Sequence, residues 1–370
     1  MRLKGKHPIH GLPFDAGEVA SRMDEEFRAL PRGKRWQLMR KVVQREALML
    51  ATGQAWLCRD RAPREVLKLL WIYNWTTLGD SIMDLTARFS LPEHVQADLC
   101  ITPALAQLYL HDTRFRHVYA SIEDCAQDYD FVLLHALTGK ALRGMRQHVS
   151  GTPFAPMIGY VNGEQFARLP FADARLRYLF RLPAAAPPAP ALGLGPRQRP
   201  AGDRFEIAVG LGARDARRSY PHWGDALRGV LARWPAELAP PLFRLLGVAN
   251  ASGERTAIGA TFIANHCVDH VDRLSLIETA RTIRDSDAFL GTDGGLMHVA
   301  AATRVPGLAL FTVIDPRMRL AEDSSIQFLT TDRAMADFAP AEVAKAFVDA
   351  LRPEADRLAQ TRRTVTPSTP

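Results

Sequence analysis

At 370 residues the chain is too long for one ordinary hydrophobic core and comfortable for two domains. Hydrophobic residues make up 47% and charged residues 24%, a globular composition, and no apolar run reaches the ~18 residues that a spanning helix needs. The net charge of +7 belongs to the first 64 residues, which hold 14 Lys/Arg against 7 Asp/Glu; the remainder is neutral, 33 against 33.

The basic residues are not interleaved with aromatics in the manner of a nucleic-acid platform, so nucleic acid is set aside as a partner. The basic N-terminus, Met1 to Pro8, is followed by no apolar signal core, and the expected address is the cytoplasm. Cys58, Cys100, Cys125 and Cys267 stand far apart with no metal-binding spacing, so they read as free, mostly buried thiols and no metal site is expected.

Residues 1–64 read as helices without strands. From Arg35 to Leu57, Met39, Val43, Ala47 and Leu50 recur at helical spacing and predict one apolar face. This basic extension either caps the first domain or contacts an anionic membrane peripherally. After Pro63, Val66 to Tyr73 is an apolar run of strand length, Asn74 to Gly79 a loop, and Asp80 to Phe89 a helix. A second strand is expected at Phe131–Leu134, and the remaining strands between 92 and 180 have no clear pattern.

Leu182 to Asp203 is rich in Pro, Ala and Gly and reads as a linker. Beyond it strands and helices alternate. Strands are predicted at Phe205–Leu211, Leu242–Val248, Cys267–Val271, Ala288–Gly291 and Leu308–Val313. Helices are predicted at His222–Trp234, Glu254–Asn265, Ser275–Arg284 and Leu296–Thr303. A last helix starts at Pro340, a favoured first helical residue, and runs to Leu351; Thr361 to Pro370 is expected to be a disordered tail. Such alternation predicts parallel sheets covered on both faces, with a ligand beyond the carboxyl ends of the strands, in the cleft between two lobes.

The strongest local signal is Thr292-Asp293-Gly294-Gly295-Leu296-Met297-His298. Paired glycines allow close backbone approach to a ligand, and the following helix aims free N–H groups at the loop, which suits a diphosphate. Asp293 would repel phosphate and reads as a helix cap or a partner for a sugar hydroxyl. The same residues also fit a plain capped turn, and His298 a histidine packed between helix and sheet.

This segment resembles the signature of glycosyltransferase family 9, the ADP-heptose:lipopolysaccharide heptosyltransferases. Asp293, Gly295, Leu296, His298, Ala300, Ala301 and Pro306 fall in register with the family pattern, whereas the family's Thr is replaced by Gly294. Leu69 to Ile82 resembles the family's opening strand and its Leu-Gly-Asp turn, which makes Asp80 the implied general base; read locally, Asp80 also suits an N-cap. Gly212 to Trp223 is similar to the segment that neutralises the leaving diphosphate, with Arg218 in place of Lys and Tyr220 in place of Trp. Read locally, that segment is a solvated basic loop. Glu254 is a candidate contact to the nucleoside.

The resemblance implies an α/β protein of the GT-B type, with two Rossmann-like lobes and here a helical N-terminal extension. The implied divisions are 1–64 extension, 65–182 acceptor lobe, 183–204 linker, 205–336 donor lobe, and 337–370 helix and tail. It implies an inverting, metal-independent transfer of a heptose-like sugar, with an ADP-sugar favoured as co-substrate and no cofactor. The acceptor would be a glycan or glycolipid such as lipopolysaccharide core, met at the inner face of the cytoplasmic membrane. The alternatives within the same architecture are a nucleotide-sugar epimerase and a non-catalytic homologue that binds glycan or a partner enzyme.

Overall fold

The computed structural model describes residues 18–159, 166–198 and 204–351. The expected tail at 361–370 lies outside these residues. The chain divides into two compact units, Met1–Gly193 and Leu194–Pro370.

In the first unit, helices α1 (Glu18–Ala29) and α2 (Arg32–Ala51) precede a sheet. The following elements are β1 (Lys68–Tyr73), α3 (Leu78–Leu85), β2 (Gln96–Ile101), α4 (Pro103–Ala106), β3 (Phe115–Tyr119), β4 (Phe131–Ala136), α5 (Gly139–His148), β5 (Phe154–Ile158) and α6 (Arg168–Phe180). The strands lie in the order β3-β2-β1-β4-β5, all parallel. β1 and β4 were legible because parallel strands buried on both faces are continuous apolar runs, and Leu69 to Tyr73 and Phe131 to Ala136 are buried throughout. β2 escaped notice because it buries Asp98, which accepts from Arg116 and Tyr129. β3 escaped because it is an edge strand exposing Arg116 and His117.

Helix α2 corrects the expected face. Val42 and Met49 are buried in the core against Leu70, Ile72 and Val132, with Leu38 and Leu48 packed beside them. Val43 and Leu50 point to solvent, as does Ala47, and Met39 is half-buried. The helix carries two apolar stripes of the same period one residue apart, and periodicity alone cannot choose between them.

Residues 182–198 form no helix or strand. The part up to Gly193 is nonetheless anchored to the first unit, where Arg88 Nη2 donates to Ala191 O at 2.7 Å and a Cβ on Gly193 would meet His111 O at 2.7 Å, whereas Arg197 and Gln198 bond Asp287 and Asp285 of the second.

The second unit runs β6 (Glu206–Gly210), α7 (Trp223–Arg233), β7 (Leu242–Leu246), α8 (Ser252–Ile258), α9 (Ala260–His266) and β8 (Cys267–Asp269). It continues with α10 (Leu276–Asp285), β9 (Ala288–Thr292), α11 (Gly295–Ala302), β10 (Gly307–Phe311), β11 (Ile326–Thr330) and α12 over 340–351. Its strands lie in the order β11-β10-β9-β6-β7-β8, again all parallel. The single helix expected over 254–265 is two, broken at Gly259 with φ +93°. β11 was missed because it is an edge strand with Gln327 and Phe328 exposed. Val343, Ala344, Phe347 and Leu351 bury α12 in this unit's core.

The face assignment on α2 has a direct test. Val42→Asp places an unpaired charge in the core and should cost several kcal/mol, on the order of 3 or more. Val43→Asp, one residue on, should stay within about 0.5 kcal/mol of the parent. Urea midpoints followed by circular dichroism compare the two, and equal losses would contradict the assignment.

Candidate functional site

In each sheet the chain lays its first strands to one side and then returns to the other. The strand order therefore reverses beside β6 in the second unit, between β6 and β9, and beside β1 in the first, between β1 and β4. Helices leaving such neighbours lie on opposite faces of the sheet, and a crevice opens at the strand ends.

At the β6/β9 crevice, Gly212 turns the chain with φ +72°, and a Cβ there would lie 2.9 Å from Asn250 Oδ1 and 3.0 Å from Ala251 Cα. Only glycine suits that position. Glu254, in the first turn of α8, accepts through Oε2 from Gly212 N–H and from Trp223 Nε1, both at 2.8 Å. It thereby ties α8 to the loop after β6 and to the start of α7. Burial pushes its carboxyl above the usual range against the pull of those hydrogen bonds. Tyr220 is buried, its ring edge-on to Trp223 and its hydroxyl donating to Phe338 O.

The adjacent arginines are sorted by their partners. Arg217 is bidentate on Asp215, exposed, and holds that carboxyl at about 2. Arg218 turns inward, its Nη1 3.2 Å from Asp293 Oδ2 across the switch from β6 to β9. Its Nε is buried and has no hydrogen-bond partner among the described residues.

Asp293 is not the helix cap expected of it. It precedes the N-cap Gly294, its N–H bonds Leu310 O at 2.9 Å, and its carboxylate meets Arg218 instead. Gly294 is extended at φ −168°, which any residue adopts, and a Cβ there would meet only Thr292 O at 3.7 Å. A threonine would fit. Gly295 and Leu296 open α11 half-buried, and His298 is buried one turn on among Met297, Val299 and Ala300.

Arg217 and Ser219, on either side of Arg218 in the chain, edge a cavity of about 360 Å³ walled by Pro221, Ala257, Ala334 and Met335, with Glu254 as a further polar edge. Small, flat and largely apolar walls with a thioether suit an aromatic base. Met335 lies in the turn before α12, where no sequence signal distinguishes it.

At the β1/β4 crevice, Asn74 joins the strand ends. Its Nδ2 donates to Ala136 O and its Oδ1 accepts from Ala136 N–H, both at 2.9 Å. Thr77 is the N-cap of α3, so the N-cap reading of Asp80 is corrected: it sits three residues into the helix. Asp80 is partly exposed, 3.4 Å from Arg168 Nε. Arg168 is buried and forked on Asp84 at 2.5 and 3.1 Å, and Asp84 is also 3.2 Å from Tyr73 Oη and from His135 Nε2. Burial pushes the Asp84 carboxyl up, but the charges of Arg168 and His135 outweigh it and hold it at about 2. Arg168 is pushed the other way by Asp84 and Asp80, above its usual value despite burial. Asp84 is thus a fixed anion, and Asp80 is the carboxylate of this group that reaches solvent. The spacing of Asp80 and Asp84, four apart on one helix face, signals a shared cation; nothing in the sequence names Arg168 or His135.

Met23 of α1 packs against Ala136, Ile158, Phe166, Phe171 and Trp75, over the carboxyl ends of β4 and β5. Among the described residues no three His, Cys, Asp or Glu side chains are grouped to hold a metal ion.

Residues 243–346 match the family model of glycosyltransferase family 9 (heptosyltransferase). No curated protein matches the chain. In fold it is similar to the glycosyl transferase family 9 from Veillonella parvula, with TM-score 0.64 and 10% identity over 81% of this chain and 100% of that one. It is also similar to E. coli ADP-heptose lps heptosyltransferase II, with TM-score 0.60 and 16% identity over 78% and 99% of the two chains. A third similar structure is E. coli heptosyltransferase WaaC with ADP, with TM-score 0.53 and 15% identity over 78% and 99%. The shared architecture is the two-sheet α/β fold of the GT-B type.

The Asp84 carboxyl ties stability to pH. Its folded value of about 2 lies below the ~3.9 of an unfolded aspartate, so its stabilisation is complete above about pH 4 and lost as pH falls toward 2. The stabilisation is on the order of 2–3 kcal/mol. Urea midpoints measured from pH 5 to pH 2 should show that loss in the parent and a smaller one in Asp84→Asn; identical slopes would remove the pair from the account.

Proposed function

We propose that this chain, a glycosyltransferase carrying a family 9 segment at residues 243–346, is an inverting, metal-independent enzyme that moves a heptose-like sugar from an ADP-sugar to a cell-envelope glycan. Lipopolysaccharide core, met at the inner face of the cytoplasmic membrane, is the favoured acceptor. The observation that carries the reading is the meeting of Arg218 and Asp293 at the β6/β9 switch, above the start of α11 and beside an apolar cavity. The similar structure holding ADP and the similar enzyme named for ADP-heptose favour adenine as the base.

In this reading the nucleobase enters the cavity beside Met335 and Ala257. The diphosphate meets Arg218 and the free N–H groups at the start of α11, where the helix dipole favours an anion. Asp293 does not repel it, because the carboxylate is paired with the same guanidinium. The pairing also fixes the guanidinium's direction, so that its remaining donors are aimed before the ligand arrives. His298, one turn into the helix, would hold a phosphate or sugar oxygen. Glu254 serves by bracing the Gly212 loop, and the nucleoside contact proposed for it is confined to the cavity edge.

In the first unit Asp80 is the base. It takes the proton of the acceptor hydroxyl as that oxygen attacks the anomeric carbon from the side opposite the diphosphate. The glycosidic bond forms, the bond to the diphosphate breaks, and the charge released there is stabilised by Arg218 and α11. Arg168, fixed on Asp84, holds a positive charge beside Asp80 and positions its carboxylate.

Release of ADP from ADP-heptose, followed with and without acceptor, tests transfer against isomerisation. ADP should appear only with acceptor, and at the same rate in EDTA. Asp80→Asn should lower turnover by about 10²- to 10⁴-fold while calorimetry shows unchanged ADP affinity. Arg218→Ala should weaken ADP binding, and Arg217→Ala, whose charge Asp215 already engages, much less. Near-normal turnover in Asp80→Asn, or equal small effects of the two arginines, would contradict these assignments.

A further inference from the structure

Helix α2 is held on the first sheet by Leu38, Val42 and Met49, so the stripe one residue on, about 100° around the helix, is fixed outward. That side carries Trp36, Val43 and Leu50, seven residues apart and therefore in one line along the helix, with exposures of 70%, 53% and 52%. Trp56, in the turn that follows, is 77% exposed. Single exposed apolar residues are ordinary, but three in line along one helix with a fourth in the next turn, two of them tryptophans, are not scattered singly.

The charge around the patch is one-sided. Between residues 30 and 64 there are nine Lys/Arg and two Asp/Glu. Arg32 and Arg40 flank the stripe on α2, and Lys34, Lys41, Arg59 and Arg64 are exposed elsewhere in this segment. We infer that this face docks the protein on an anionic lipid bilayer, with Trp36 and Trp56 at the headgroup level and the cations on lipid phosphates. The inference deepens the functional reading by naming the surface that would bring the enzyme to a membrane-borne acceptor, and its test needs no turnover.

Three features favour lipid over protein. Indole has an apolar body and a polar N–H, which suits the interface between acyl chains and headgroups. A basic helix with an outward apolar stripe, in which the half-buried Glu46 between Val43 and Leu50 is the one acidic residue, is suited to lie in the membrane plane. A second copy of this chain would set nine cations against nine, a repulsion that opposes pairing through the same face.

The test is co-sedimentation of the full chain with phosphatidylcholine vesicles, with and without phosphatidylglycerol. The protein should bind only the anionic vesicles and be released by salt. Trp36→Ser with Trp56→Ser should weaken binding on the order of tenfold or more, and Arg40→Glu about fivefold or more. Far-UV circular dichroism, melting temperature and ADP release with a water-soluble acceptor should not change in any of them. Unaltered vesicle binding in the tryptophan double variant would overturn the inference, since the contact would then lie elsewhere, as would equal binding to neutral vesicles. A parent dimer that the double variant dissolves, seen by analytical ultracentrifugation, would overturn it too and assign the face to a second copy.

Discussion

Both sheets are wound outward from their first strand in two directions, and that one topological constraint decides where chemistry can collect. A crevice forms only where neighbouring strands send their helices to opposite faces, beside β6 and β9 in one unit and β1 and β4 in the other. The residues placed there are those that immediately follow the strands: the Gly212 loop and Arg218 after β6, Asp293 to His298 after β9, and Asn74 to Asp80 after β1. Everything else in the fold supports these short segments. Gly212 permits a turn that a Cβ would block, Glu254 fastens it to α7 and α8, and Asn74 pins the end of β1 to the end of β4.

The two crevices solve one electrostatic problem in the same way. Each holds an arginine against a buried aspartate, Arg218 on Asp293 and Arg168 on Asp84. A buried ion pair is weak evidence for stability, because desolvation offsets the attraction. It does fix the direction of a guanidinium that would otherwise sample many rotamers. In the second unit that holds Arg218 on Asp293, immediately before the N-cap of α11; in the first it holds Arg168 beside the more exposed Asp80. The carboxylate at 293, which looks misplaced in an anion site when read as sequence, makes sense once its partner is known.

How much of this was legible beforehand follows from the range over which each signal acts. β1, β6 and β9 are unbroken apolar runs followed by polar or glycine turns, so the strands and the residues at their ends could be read locally. The edge strands β3 and β11 could not, because one exposed face breaks the run. The break at Gly259 was hidden by apolar residues on both sides of it. On α2 two apolar stripes compete, and the packing of Val42 and Met49 on the sheet selects one and turns Trp36, Val43 and Leu50 outward. Of the groups gathered at the two crevices, Asp80, Arg218 and the segment from Asp293 to His298 could be named from the sequence because each sits in a motif. Arg168, His135 and Met335 were not, since they arrive from distant parts of the chain and only the fold makes them neighbours.

A crystal structure of the full chain with bound ADP tests the proposed donor site at the β6/β9 switch most directly. The adenine should occupy the cavity beside Met335 and Ala257. A phosphate oxygen should lie within hydrogen-bond distance of Arg218, with its Nε newly engaged, and another should face the N–H groups of Gly295 and Leu296. ADP bound elsewhere on the chain, or bound with its phosphates turned away from Arg218 and α11, would contradict the account.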